Sequence, residues 1–511
     1  MRQPAATRIE RDSMGDMAVP AAALYGASTQ RAVLNFPISG QPMPAGLIHA
    51  LALVKGAAAE TNAELGLIPP SIAAAIVDAA AEVASGKYDD QFPIDIYQTG
   101  SGTSTNMNAN EVIAHLASAR LGSKVHPNDH VNAGQSSNDA IPTAMQLAAA
   151  IAIEEDLLPA LETLRASLAA KAADFDPIVK TGRTHLQDAT PIRLGQEFQG
   201  YAGQLVDGIR RARAAQAELL SVPLGGTAVG TGINAHPDFA RLTCSRLSAL
   251  TGLPIHETES HFHAQATLDV VIAAHGAVRA IALSLWKIGS DIRLMGMGPR
   301  AGIGELTLPE TQPGSSIMPG KVNPVIVESL TMVVARVVGN DATIGFAQTG
   351  SFLELNVMMP VAAAAILESV GLLASSARNF AGRAVDGLRA TDRGPQLVEQ
   401  GLMLATALAP VIGYDAAAAL AKEALKGGRT IRDLARERGI AADELDRLLD
   451  PVRMTRPGLE GDPAAGGPAG GGPAGGDPTG GGPAGGGPSG GGPSGGGPSG
   501  GGPAGGDPTG G

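Results

Sequence analysis

Long runs of helical periodicity constrain this chain more than any other feature, because segments so long and so apolar on one side are stable only when packed together. Leu157, Leu158, Leu161, Leu164 and Leu168 recur at helical spacing with Glu154, Glu155, Glu162 and Arg165 between them, which predicts an amphipathic helix that runs through Pro159. A second helix is predicted from about Leu194 to Leu220. A third spans about Thr267 to Met295, where Leu268, Val271, Ile272, Val278, Ile281, Leu285, Ile288 and Ile292 form the stripe. Further helices are predicted from Val325 to about Ile344 and from about Glu354 to Gly387, the last kinked at Pro360. Strand-like alternation is scarce, so the expected fold is mainly α, built on a central bundle of long helices. Ala-rich stretches such as Ala362 to Ala365 and Ala416 to Ala421 let helices approach closely. Stripes on more than one face predict packing against other copies of the chain.

At 511 residues the chain can hold about two to four domains. Residues 1–134 read as a mostly helical region, with apolar periodicity from Leu47 to Leu65 and from Ile72 to Val83. The long-helix bundle occupies residues 135–392. Shorter helical units follow over residues 393–456, one capped by Thr430 and another opening at Ala441 to Leu445. From 457 to 511 proline recurs every fifth residue in a glycine-rich background, a spacing that excludes a collagen helix. With no large apolar side chain after Leu459 this tail has nothing to bury, and it is expected to be disordered.

Lys and Arg number 37 against 49 Asp and Glu, a net charge of -12 that argues against a nucleic-acid partner. The lone cysteine, Cys244, excludes an intrachain disulfide and a cysteine-rich zinc site. The first residues lack the apolar core of a secretory signal, and no run reaches about 18 uncharged, predominantly apolar residues, so a soluble cytoplasmic protein is expected.

Polar clusters interrupt the helices. Gln98 to Asn108 carries Ser101, Thr103 and Asn106 among its glycines and hydroxyls, and taken alone it reads as a cap on a helix beginning near Asn110. His126, Asn128, Asp129 and His130 come next. Pro127 sets the histidines off a shared helix face, so no metal site is expected there. Ser136, Ser137, Asn138 and Asp139 form an N-cap for the segment after Pro142. Lys180 to Pro191 reads as a loop holding Thr184 and the titratable His185, and Gly225 to Gly232 as a tight turn without the ending of a phosphate loop. The histidines between His256 and His263 miss the spacing of a zinc-protease helix and read as surface residues.

The most polar interruption is Pro313 to Pro324, a loop rich in glycine and proline that nevertheless carries Ser315, Ser316, Lys321 and Asn323. Such groups suit abstraction of a proton beside a carboxylate with elimination of a neighbouring group, or the reverse. Lys321 and Asn323 can hold one carboxylate, and the hydroxyls and amides near 101–106 and 136–138 the other. His185 suits proton exchange with the leaving group, since histidine titrates near neutrality. Ser315 can act as a base only if backbone N–H groups and Lys321 stabilise its alkoxide.

Gly314 to Pro324, reading GSSIMPGKVNP, resembles the signature of the fumarase/aspartase superfamily. Gly100 to Asn108, Ser136 to Thr143, Thr181 to Pro191 and Gly225 to Gly232 also resemble class II fumarase segments, in the same order, and the resemblance runs over roughly residues 8 to 456. It implies a three-domain helical fold in which long helices of four subunits share a core and each active site draws on three chains. It further implies Ser315 as the base at C3 of malate on a mobile loop, and His185, oriented by Glu328, on the water-handling side. Lys321 and Asn323 would grip a carboxylate, with Ser101, Thr103, Asn106, Ser136, Ser137, Asn138, Thr184 and Ser316 completing the substrate cage. His126, Asn128 and Asp129 would form a secondary dicarboxylate site. The resemblance implies that no metal or organic cofactor is used.

His185 and Ser137 are fumarase-like, whereas aspartases typically carry glutamine and threonine at these positions. Ser260, His261 and His263 depart from the family's pattern before the third long helix, as does Gly134, which bears on substrate specificity. Fumarate hydration is the expected reaction. An ammonia-lyase or another fumarate-forming lyase is the rival, and a silent structural homologue is disfavoured by the polar constellation.

Overall fold

A computed structural model describes residues 6–458; the repeat tail beyond lies outside the described residues. The chain opens on an antiparallel hairpin, β1 (Thr7–Asp12) and β2 (Gly15–Pro20), where helix was expected. Arg8 fixes it by donating to the carbonyls of Pro20, Ala23 and Tyr25. Helices α1 (Ala27–Asn35), α2 (Ala45–Glu64), α3 (Pro70–Ala84) and α4 (Thr103–Leu121) follow. The Glu111 carboxylate on α4 caps α1 by accepting the N–H groups of Gly26, Ser28 and Thr29.

The bundle begins with α5 (Ser137–Ala152), which contains Pro142 rather than following it. A π turn, Ile153–Leu157, joins α5 to α6 (Leu158–Phe175) with helical backbone angles throughout, so the helix runs through Pro159 as expected, the proline following directly on the π turn. A second hairpin, β3 (Val179–Thr184) and β4 (Gln187–Arg193), precedes α7 (Leu194–Leu219), α8 (Phe239–Thr251), α9 (His261–Ala266), α10 (Asp269–Met295), α11 (Val325–Ala347) and α12 (Met359–Phe380). Pro360 does not kink a helix beginning near Glu354; it stands in the first turn of α12.

Contacts run from α6 to α7, α7 to α10, α10 to α11 and α11 to α12, and α12 returns to α5 and α6, closing a ring of long helices. The predicted stripes fill its interior: Leu161, Leu164, Leu168, Leu285, Ile288, Leu330, Val337, Val370 and Leu373 are all buried. Each such side chain contributes roughly 1.5–3 kcal/mol by leaving water. The same helices leave Leu283, Trp286, Met332 and Phe346 exposed on their outer sides. By length and apolarity alone α10 and Met359–Val385 have the dimensions of membrane spans, but both pack as staves of this ring.

A separate core of Leu404, Leu408, Leu420, Ile431, Leu434, Leu445 and Leu448 organises the short C-terminal helices. Thr430 caps one of them, its hydroxyl accepting from the N–H of Asp433.

Candidate active site

Helix α4 starts at Thr103, seven residues before the expected Asn110, so the hydroxyl cluster opens the helix instead of preceding it. Glycine is required just upstream, since a Cβ on Gly100 would lie 1.8 Å from the Val357 carbonyl oxygen. The hydroxyls turn toward α5: Ser101 Oγ lies 2.7 Å from Thr103 Oγ1, which lies 2.7 Å from Ser137 Oγ. Asn138 completes the group and donates to the Ala228 carbonyl at 2.8 Å.

Ser136 caps α5 as expected, accepting from Asn138 N–H at 3.2 Å, while Asp139 reaches back to accept from Ser136 N–H at 2.9 Å. The other Asp139 oxygen accepts from the N–H groups of Gly225 and Thr227, tying the glycine-rich turn to the helix start. Burial pushes the Asp139 carboxyl above the usual carboxylate range, opposed by these backbone donors. The result is a helix N-terminus lined with hydroxyls and an amide, an arrangement suited to a carboxylate. Asn106, one turn along α4 from Thr103, is buried beside them and donates to Asn132 Oδ1 at 3.2 Å.

The expected loop from Lys180 to Pro191 is largely a hairpin, with His185 and Leu186 at its tip. Both adopt left-handed backbone angles, φ 56° and 59°, which cost an L-residue about 1–2 kcal/mol each. Buried Glu305 pairs with Lys180 near the hairpin's base and with Arg183 just below its tip, and Lys180 also reaches Glu197. Thr184 and His185 are exposed at the end of this anchored arm.

In the third segment Ser315 is half-buried, and its Oγ accepts from the N–H groups of Ile317 at 3.3 Å and Met318 at 2.9 Å. Two oriented backbone donors thus already face the oxygen that would carry charge. Lys321 donates to Asn323 Oδ1 at 2.7 Å, and Asn323 in turn donates to the Gly314 carbonyl. A Cβ on Gly314 would fall 1.8 Å from the Lys321 carbonyl oxygen, so the loop closes on itself only with glycine there. Ser316 is exposed, as is Glu328 in the first turn of α11.

Among the described residues no hydrogen bond or ion pair joins these three sets of residues within one chain. Ser101, Thr103, Ser136, Ser137 and Asn138 come together. His185 and Thr184 stand on the hairpin, and Ser315, Lys321 and Asn323 on their loop. Among the described residues no hydrogen bond or ion pair joins Glu328 to His185. His126 organises a π turn, Pro127–Val131: its Nδ1 accepts from the N–H groups of Asn128 and Asp129, leaving those two side chains exposed. No group of three or more metal-ligating side chains occurs among the described residues. Ser260 caps α9, His263 contacts Asp269 at 2.8 Å, and His261 reaches the Leu224 carbonyl beside the glycine-rich turn. Lys55, which the sequence reading did not single out, lies fully buried under the first group.

A closed ring of long helices whose ends and connecting loops carry carboxylate-binding groups is the architecture of a helical lyase. Accordingly, the family model described as Lyase matches residues 15–339, and that for the fumarase C C-terminus matches residues 404–456. The class II fumarate hydratase of Methylorubrum extorquens is 53% identical over 462 residues, covering 89% of this chain and 98% of that protein. That of Mycobacterium tuberculosis is 52% identical over 456 residues, covering 88% and 96%. The recombinant class II fumarase from Schistosoma mansoni superposes with a TM-score of 0.86 at 39% identity, covering 88% of this chain and 99% of that one. The chain belongs to the class II fumarate hydratase family.

Proposed function

We propose that this protein catalyses the reversible hydration of fumarate to (S)-malate. The likeness to class II fumarate hydratases over 98% of a relative's length carries the reading. In the dehydration direction Ser315, as an alkoxide stabilised by the N–H groups of Ile317 and Met318, removes the C3 proton of malate and becomes a neutral hydroxyl, the negative charge passing to the substrate. The carbanion's charge spreads into the adjacent carboxylate, which Lys321 and Asn323 neutralise. Ser101, Thr103, Asn106, Ser136, Ser137 and Asn138 hold the other carboxylate, with Thr184 and Ser316 closing the cage. His185, oriented by Glu328, delivers a proton to the departing hydroxyl, so that water leaves and fumarate remains.

The separation of these groups within one chain supports sites assembled from several subunits, and exposed Leu283, Trp286, Met332 and Phe346 on the bundle support a homotetramer as its frame. The same reading places the enzyme in the cytoplasm and assigns His126, Asn128 and Asp129 to a secondary dicarboxylate site. A spectrophotometric assay tests the reaction: fumarate's ultraviolet absorbance should fall in buffer free of ammonia, with malate accumulating. Consumption of fumarate only when ammonia is added would put an aspartate ammonia-lyase in its place.

A further inference from the structure

Among the described residues, two lysines are buried outside the proposed mechanism, and of these Lys180 is ion-paired while Lys55 is not. Lys55, in the middle of α2, is 0% exposed, and its ammonium makes no ion pair among the described residues. It donates instead to two neutral amides, Asn132 Oδ1 at 2.8 Å and Gln135 Oε1 at 2.9 Å. Through Asn132 it is joined to Asn106, and its other acceptor, Gln135, directly precedes Ser136 in the chain, so it underlies both elements that carry the hydroxyl cluster. Asn106 is buried too, and its Oδ1 has no hydrogen-bond partner, an acceptor left for a bound hydroxyl or water. Its contacting partners are thus dipoles only, a costly setting for a buried charge that a further anion close by relieves.

We infer that Lys55 is a positioning residue for substrate, its buried ammonium supplying, behind the Ser101, Thr103 and Ser137 hydroxyls, the positive charge that one carboxylate of the dicarboxylate answers. The inference rests on the function proposed above. Burial drives the Lys55 ammonium down to about 7, and Asp139 on α5 is the charge that opposes this. Charged groups on the elements packed against α2 are engaged elsewhere or exposed: Arg246 on α8 pairs with Glu60 and Glu64 and Arg241 with Asp238, Glu82 on α3 pairs with Lys87 and Arg120, Glu111 on α4 caps α1, His130 accepts from His126 N–H, and Asp78 and Asp129 are exposed. Above that range the free enzyme holds Lys55 neutral. A bound dianion favours the ammonium, so binding must draw in a proton there, and none well below it.

Calorimetric titration of the full-length wild type with a saturated four-carbon dicarboxylate, in buffers of different ionisation heat, reads this uptake directly. It should approach about one proton per site at about pH 8 and vanish at about pH 6; an uptake that does not change with pH overturns the inference. Lys55→Met keeps the apolar stem and removes the charge. It should abolish the uptake and raise KM by about tenfold or more while kcat stays within about threefold, and the rise of KM with pH seen in the wild type should flatten. Lys55→Gln, which keeps a hydrogen-bonding head, should behave the same and serves if the methionine variant does not fold. Unchanged KM and uptake in a folded, active variant would overturn the role of Lys55 alone, whereas a wild type unable to hydrate fumarate would overturn the reaction itself.

Discussion

Ser315→Ala should lower kcat for malate dehydration by about 10²- to 10⁴-fold and leave KM nearly unchanged, because it removes a proton acceptor and not a carboxylate grip. The protein should melt where the wild type does. Ser315 is half-buried in a loop, and the N–H groups of Ile317 and Met318 that it accepts from are accessible to water once the hydroxyl is gone, a change worth within about 0.5 kcal/mol. The surrounding turn is held independently, by Asn323 donating to the Gly314 carbonyl and by the close approach of Gly314 to Lys321. Steady-state kinetics together with a thermal melt separates the two effects. Turnover at the wild-type level would remove serine from the mechanism.

His185→Asn should cost a comparable factor in kcat, about 10²- to 10⁴-fold, by removing the group that exchanges a proton with the departing hydroxyl. Asparagine is the informative replacement. His185 sits at φ 56°, and asparagine tolerates that left-handed conformation better than other non-glycine residues. The hairpin, anchored to Glu305 by Lys180 near its base and Arg183 near its tip, should therefore keep its shape and the melting temperature should not fall. A loss of less than about tenfold with an intact fold would assign the water-handling step to another residue.

The bundle was legible because helical periodicity is a long-range signal: the stripes at Leu157 to Leu168 and Leu268 to Ile292 predicted their helices to within a few residues. Errors gathered where one residue type serves two purposes. Pro191 and Pro360 both read as helix breakers in sequence, yet Pro360 stands in the first turn of a helix and Pro191 lies in a strand opposite Thr181. Both hairpins escaped notice, since two short, polar strands pairing only with each other leave little alternation to detect. The Gly100 to Asn108 cluster was read as preceding its helix because glycine usually ends or caps one; here Gly102, at φ 70°, marks the entry itself. Ser315, His185, Lys321 and Asn323 stand out in the sequence as polar groups interrupting apolar helices, but taken alone His185 reads as an ordinary core or surface histidine, and the roles proposed for these four residues come from the family resemblance. Lys55 does not stand out, because a lysine inside an apolar helical stretch reads as the solvent side of an amphipathic helix until the fold shows that α2 is covered on that side too.

The account turns on Ser315 and His185 serving one site although a single chain keeps them on separate segments. Chains of Ser315→Ala and His185→Asn, each nearly inactive alone, can be dissociated, mixed in equal amounts and allowed to reassociate. If the two residues reach each site from different subunits, about a quarter of the sites in randomly mixed tetramers hold both intact groups, and activity should recover to about that fraction of the wild type. Mixed assemblies no more active than either parent would contradict it.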